Sequence, residues 1–174
     1  MENKFFQEVN HAVGKINKDE ITFLEEKLKS CVKNKSDVYI FGNGGSSSIA
    51  AHIATDFSKN TPIRMRTLND VNLITCFGND FGYENWIIEG LKRFGRTDSF
   101  CIAISSSGNS ENIVRAAEYA RDNLGGVYCL TGFSDDNRLR SISDGIWVDS
   151  KNYNIVEGTH LLFLMAVVEE FMNQ

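Results

Sequence analysis

The chain has 174 residues, 42% apolar and 24% charged, with a formal charge of −5 and one proline, Pro62. That length suffices to bury a core, and the negative balance argues against non-specific nucleic-acid binding as the main task. Without an apolar run of membrane-spanning length, or a signal-peptide layout in Met1-Glu2-Asn3-Lys4, the expected location is the cytoplasm.

Residues 2–15 and 19–34 read as two helices of mixed charge, the second with Ile21, Leu24 and Leu28 at helical spacing. A strand at 37–41 ends in the polar loop Gly42-Asn43-Gly44-Gly45-Ser46, and a helix is expected over 46–58. Ile63-Arg64-Met65-Arg66 is a short strand whose two arginines share a face, best read as a solvated edge. Residues 69–77 are helical or mixed, and Gly78-Asn79-Asp80-Phe81-Gly82 has turn composition. A helix over 83–93 precedes a strand at 99–104 and a second polar loop, Ser105-Ser106-Ser107-Gly108-Asn109-Ser110. The order closes with a helix over 110–123, a strand at 127–131, a short helix near 135–141, a strand at 144–148 and a last helix over 154–172. That helix is apolar almost all round, as for one buried in a core or between subunits.

Strands alternating with helices imply βαβ units and a parallel sheet with both faces covered, and hence a three-layer α/β/α architecture. The four cysteines are widely spaced, with no CxxC pair, so neither a disulfide framework nor a thiolate metal site is expected. Both serine-rich loops follow strands and precede helices. Such turns place free backbone N–H groups and hydroxyls together, an arrangement suited to phosphate. Ser46, Ser105, Ser107 and Ser110 supply hydroxyls, while Gly44, Gly45 and Gly108 admit close backbone approach. Serines at such places also cap helices, and for one loop alone that reading is the better one; two such loops shift the balance toward a ligand. Neither loop is a Walker A or a GxGxxG motif.

These residues resemble the phosphoheptose isomerases of the sugar isomerase (SIS) superfamily. Gly42-Asn43-Gly44-Gly45-Ser46 with Ala51-His52-Ile53-Ala54 is similar to their first motif, Gly78-Asn79-Asp80-Phe81-Gly82 to the second, Ile104 to Ser110 to the third and Leu130-Thr131-Gly132 to a fourth. The resemblance implies one SIS domain over 1–174 with a flavodoxin-like, five-stranded parallel sheet, residues 1–35 forming helices that pack on the domain or on a subunit interface. It further implies conversion of sedoheptulose 7-phosphate to an aldoheptose 7-phosphate through an enediol, and a homotetramer with active sites between subunits. No nucleic-acid or membrane partner is expected. Asn43, Gly44, Ser46, Asp80, Ser105, Ser106, Ser107 and Ser110 are the expected substrate contacts.

The catalytic positions depart from the family pattern. Asp56 stands where the family has Glu. In the last helix Glu157 falls on the family's glutamine, His160 on its first histidine and Met165 on the second, the acid/base and metal-ligand position. Met165 serves neither role at a hard-ligand zinc site. His52 and Asp56 are spaced i, i+4, and Glu157 and His160 i, i+3, so each pair shares a helix face. Asp56, His160 and Glu157 are therefore the expected acid/base groups, and His52, Asp56 and Glu157 the set for the zinc ion the family commonly carries. The alternative is a branch that keeps the sugar-phosphate pocket without catalysis and serves as an oligomeric protein-binding platform.

Overall fold

A computed structural model describes residues 3–173; the expected helix start at residue 2 lies outside them. The elements are α1 (Lys4–Gly14), α2 (Lys18–Asn34), β1 (Asp37–Gly42), α3 (Gly44–Asn60), β2 (Arg64–Arg66), α4 (Val71–Phe81), α5 (Trp86–Phe94), β3 (Phe100–Ser105), α6 (Glu111–Asn123), β4 (Val127–Gly132), β5 (Gly145–Val148) and α7 (Tyr153–Met172), with a single 3₁₀ turn at Arg138–Ser141. All five strands are parallel, in the order β2-β1-β3-β4-β5. The crossover from β1 runs outward to β2, whereas β3 lies on the opposite side of β1. The chain thus changes direction between β1 and β3, and a crevice opens at their carboxyl ends.

Strand alternation divides the core. Val38, Ile40, Ile102, Ile104 and Leu130 face α2, α3 and α7, while Tyr39, Phe41, Cys101, Ala103 and Cys129 face α5 and α6. The three central strands are buried along their whole length, as their continuous apolar runs require. On the first face Tyr128 stacks on Phe163, centroids 6.2 Å apart, and Phe57 meets Phe171 edge-on.

Local signals set the helix ends. Asn17 and Glu20 form a reciprocal capping box on α2, which stops at Lys35 in the left-handed conformation (φ 56°). Asp70 caps α4 by accepting from the Asn72 and Leu73 amides. Here the structure corrects an expectation: α4 continues through Gly78-Asn79-Asp80, and the turn waits until Gly82 (φ 88°). A glycine inside a helix costs only about 1 kcal/mol, less than the bonds that carry the helix past it.

Cys31, Cys101 and Cys129 are buried free thiols, and burial pushes Cys31 up to about 11 and Cys129 to about 12. Arg64 and Arg66 both reach Asp37 from the sheet edge (3.2 and 3.4 Å) and stay exposed. Two helices are incompletely covered: neither α1 nor α4 has a buried residue, although both carry apolar side chains. The outer face of α7 likewise leaves Leu162 and Met165 exposed, so this helix is covered on one side only. Among the described residues, no helix is long and apolar enough to cross a membrane.

Phe163 is 1% exposed in the face under α7. Phe163→Ala is expected to cost about 3–5 kcal/mol, measured as a lower urea midpoint with the slope retained.

Candidate active site

The carboxyl ends of β1 and β3 are adjacent in register, Gly42 opposite Ile104. From there α3 and α6 begin side by side. Gly42 makes the first turn tight, since a Cβ on it would meet Ser46 Cβ at 2.7 Å and the Ser46 backbone at 2.8 Å. Gly44 takes a positive φ of 51° and Gly108 one of 66°. A Cβ on Gly108 would overlap the Asn137 side chain. Asn137, itself buried, donates to the Ser134 carbonyl (2.7 Å) and accepts from the Arg140 amide, so the loop after β4 buttresses the second serine loop. Asn109 Oδ1 accepts from the Arg138 amide (3.1 Å), a second tie.

Between the loops lies a cleft of about 250 Å³ lined by Asn43, Gly44, Gly45, Ser46, Ile104, Ser105, Ser106, Ser107, Ser110, Tyr153 and Glu157. The two serine loops therefore converge, as their shared grammar suggested. The N-cap residues Asn43 and Ser110 make no side-chain capping bond to their helices. The first-turn amides of α3 and α6 thus lack the side-chain partners that the capping reading assigns them, and two positive helix ends are left over the cleft. Ser105 Oγ donates to Ser110 Oγ (3.3 Å), and Ser106 Oγ is buried without a partner. No lysine or arginine lines the cleft.

Glu157 is its one carboxylate, so close to the start of α3 that a Cβ on Gly45 would overlap it. Tyr153, one turn earlier on α7, stands at the mouth with its ring edge-on to Phe133 at 4.8 Å. Reading the sequence alone did not single out Tyr153, though its i, i+4 spacing from Glu157 carried the signal.

Four expected site residues lie elsewhere. Asp80 is exposed near the end of α4, beside Asn79 Nδ2 (2.8 Å) and outside the cleft lining. His52 and Asp56 bond each other (3.0 Å) on the outer face of α3, also outside it. His160, expected as an acid/base, is completely buried. Its Nε2 lies 3.0 Å from the Thr131 carbonyl, which can only accept, so the proton sits on Nε2 and the buried Nδ1 has no partner. Burial lowers its pKa to about 4. The ring so placed lies in the core and outside the cleft lining. The zinc set does not assemble either: among the described residues no three His, Cys, Asp or Glu side chains gather to hold a metal ion. His52 and Asp56 are engaged with each other while Glu157 stands at Gly45.

The SIS domain family matches residues 4–132. A phosphoheptose isomerase of Helicobacter pylori is 30% identical over 155 residues, 81% of this chain and 80% of that protein. One from Buchnera aphidicola is 33% identical over 156 residues, 80% and 78% of the two chains. The solved structure of a phosphoheptose isomerase from Francisella tularensis superposes with a TM-score of 0.89 at 26% identity, covering 99% of this chain and 96% of that one. The chain belongs to the SIS domain family and, within it, to the phosphoheptose isomerase family.

Two outcomes follow from the geometry. Gly108→Ala places a side chain on a positive-φ position against Asn137, and is expected to cost about 1–3 kcal/mol of stability, read as a lower urea midpoint. His160 is held neutral in the fold and binds its proton more readily when unfolded. Its contribution is complete above about pH 6.5 and is lost as pH falls toward about 4. Unfolding free energy should drop by about 2 kcal/mol between roughly pH 7 and pH 5 in urea titrations, and His160→Gln should remove that part of the slope.

Proposed function

We propose that this chain is a sugar-phosphate isomerase that grips the phosphoryl group of its substrate between the two serine loops. The convergence of Ser46 with Ser105–Ser110 at two uncapped helix starts carries this reading. The relatives named phosphoheptose isomerase support a phosphoheptose as substrate, and the family resemblance makes sedoheptulose 7-phosphate the proposed ketose and an aldoheptose 7-phosphate the product. Glu157, the carboxylate lining the cleft, is the proposed proton carrier. Its carboxylate removes a hydrogen from C1 of the ketose as H⁺, the C1–H electron pair becomes the C1–C2 double bond of the enediol, and the C2 carbonyl oxygen takes up a proton from solvent water, to which the C1 hydroxyl later returns one. Return of the proton to C2 with loss of the C1 hydroxyl proton leaves the aldehyde, with no net oxidation. Ser46, Ser105, Ser106, Ser107 and Ser110 hold the phosphate, Asn43 meets the sugar, and Tyr153 stands at the mouth.

A second reading is favoured by specific observations: His160 is sequestered, Met165 is a surface residue, and apolar side chains stand exposed on α4 and α7. These fit a protein that keeps the sugar-phosphate pocket, assembles with copies of itself as a tetramer and offers a platform to other proteins in the cytoplasm.

Incubation with sedoheptulose 7-phosphate in heavy water separates the two. The isomerase incorporates deuterium at the exchanging carbons, seen by NMR, and Glu157→Gln lowers the rate by about 10²–10⁴-fold while the sugar phosphate still binds. Saturable binding without exchange establishes the platform instead, and no binding of either kind overturns both.

A further inference from the structure

Asn43 is not free to turn in the cleft. Its Nδ2 donates to Asn112 Oδ1 at 2.9 Å, and Asn112 Nδ2 donates back to Asn43 Oδ1 at 2.9 Å, a reciprocal amide pair. Tyr83 Oη donates to the same Asn43 oxygen at 3.3 Å. Asn112 is 3% exposed, in the first turn of α6, while Asn43 is the N-cap of α3. The pair therefore spans the crevice and joins the two helix starts that face the cleft. Turning either amide alone sets oxygen against oxygen and nitrogen against nitrogen. An amide oxygen has two lone pairs and both are occupied, whereas Nδ2 has spent one of its two hydrogens. The Asn43 side chain is thus left with a single N–H donor and no acceptor for a ligand.

We infer that Asn112, assisted by Tyr83, is a positioning residue that fixes Asn43 as a donor-only contact, so that the site selects a ligand presenting a carbonyl or hydroxyl oxygen there. This rests on the sugar-phosphate reading and adds to it a residue touching no ligand. The phosphate grip uses the serines and the helix amides, so the consequence is selective: loss of Asn112 affects recognition of the sugar and spares that of phosphate. Asn112→Leu keeps roughly the size, adds no charge beside the helix start, and removes the N–H that bonds Asn43 Oδ1.

Calorimetry with sedoheptulose 7-phosphate and, separately, inorganic phosphate tests it. Asn112→Leu should weaken the sugar phosphate about tenfold, the scale of one hydrogen bond, with inorganic phosphate unchanged within about twofold. The double variant with Asn43→Ala should be no weaker than Asn43→Ala alone. Equal loss for both ligands, or additive losses, overturns the inference and leaves Asn112 a structural residue. Tyr83→Phe, at an exposed site, guards against a fold defect at the buried asparagine and should show the same selectivity at about threefold. Nitrogen-15 NMR of the Asn43 side-chain amide gives a ligand-free readout. Its signal should be ordered in the parent protein and broadened in Asn112→Leu, and an unchanged signal overturns the inference. If the parent protein takes up no sugar phosphate, the functional reading falls while this signal still decides the positioning.

Discussion

Much of this molecule follows from one register. Gly42 pairs with Ile104, so β1 and β3 finish level with each other, and the crossovers leaving them run in opposite directions. Two helices then have to start at adjacent points, with their amide-rich ends over one crevice. Each start is tightened by a glycine that no other residue replaces without strain, Gly42 by its contact with Ser46 and Gly108 by its positive φ against Asn137. The serines gather because of where these helices begin.

Burial distributes the remaining chemistry. Along α7 the same helical turns that send Val156, Phe163 and Leu164 into the core also send His160 there, while Glu157, one position on from Val156, faces the cleft. Two titratable residues three positions apart thus have unrelated environments. The histidine is held neutral by desolvation and tied to the end of β4, and the carboxylate sits beside the start of α3. On the far side of α7, Leu162 and Met165 leave an apolar surface that one chain does not fill.

The sheet and the paired loops were legible in the sequence. Continuous apolar runs such as Val38-Tyr39-Ile40-Phe41 and Cys101-Ile102-Ala103-Ile104 declare strands covered on both faces, and a repeated Ser/Gly/Asn pattern after two of them declares the cleft. The place of His160 was also present, since it stands four residues after Val156 and four before Leu164, inside the core stripe; its polarity made a chemical role more attractive than its phase supported. The grouping of His52, Asp56 and Glu157 was less accessible. Spacing along one helix shows that two side chains share a face but not which way that face looks, and the His52–Asp56 face looks outward. The length of α4 was hidden for another reason. Gly, Asn and Asp are turn formers on average, yet here Asp70 secures the helix start and the break is deferred to Gly82.

The cleft has no cationic side chain. What it offers an anion is oriented dipoles: peptide N–H groups at two helix starts, and hydroxyls. Dipoles fixed in place at short range are little affected by a surrounding ionic atmosphere, whereas attraction between separated full charges fades as that atmosphere thickens. Recognition built this way keeps its strength in a concentrated, ion-rich medium. It forgoes the long-range pull that draws charged molecules in from a distance, so selectivity is decided after arrival by fit.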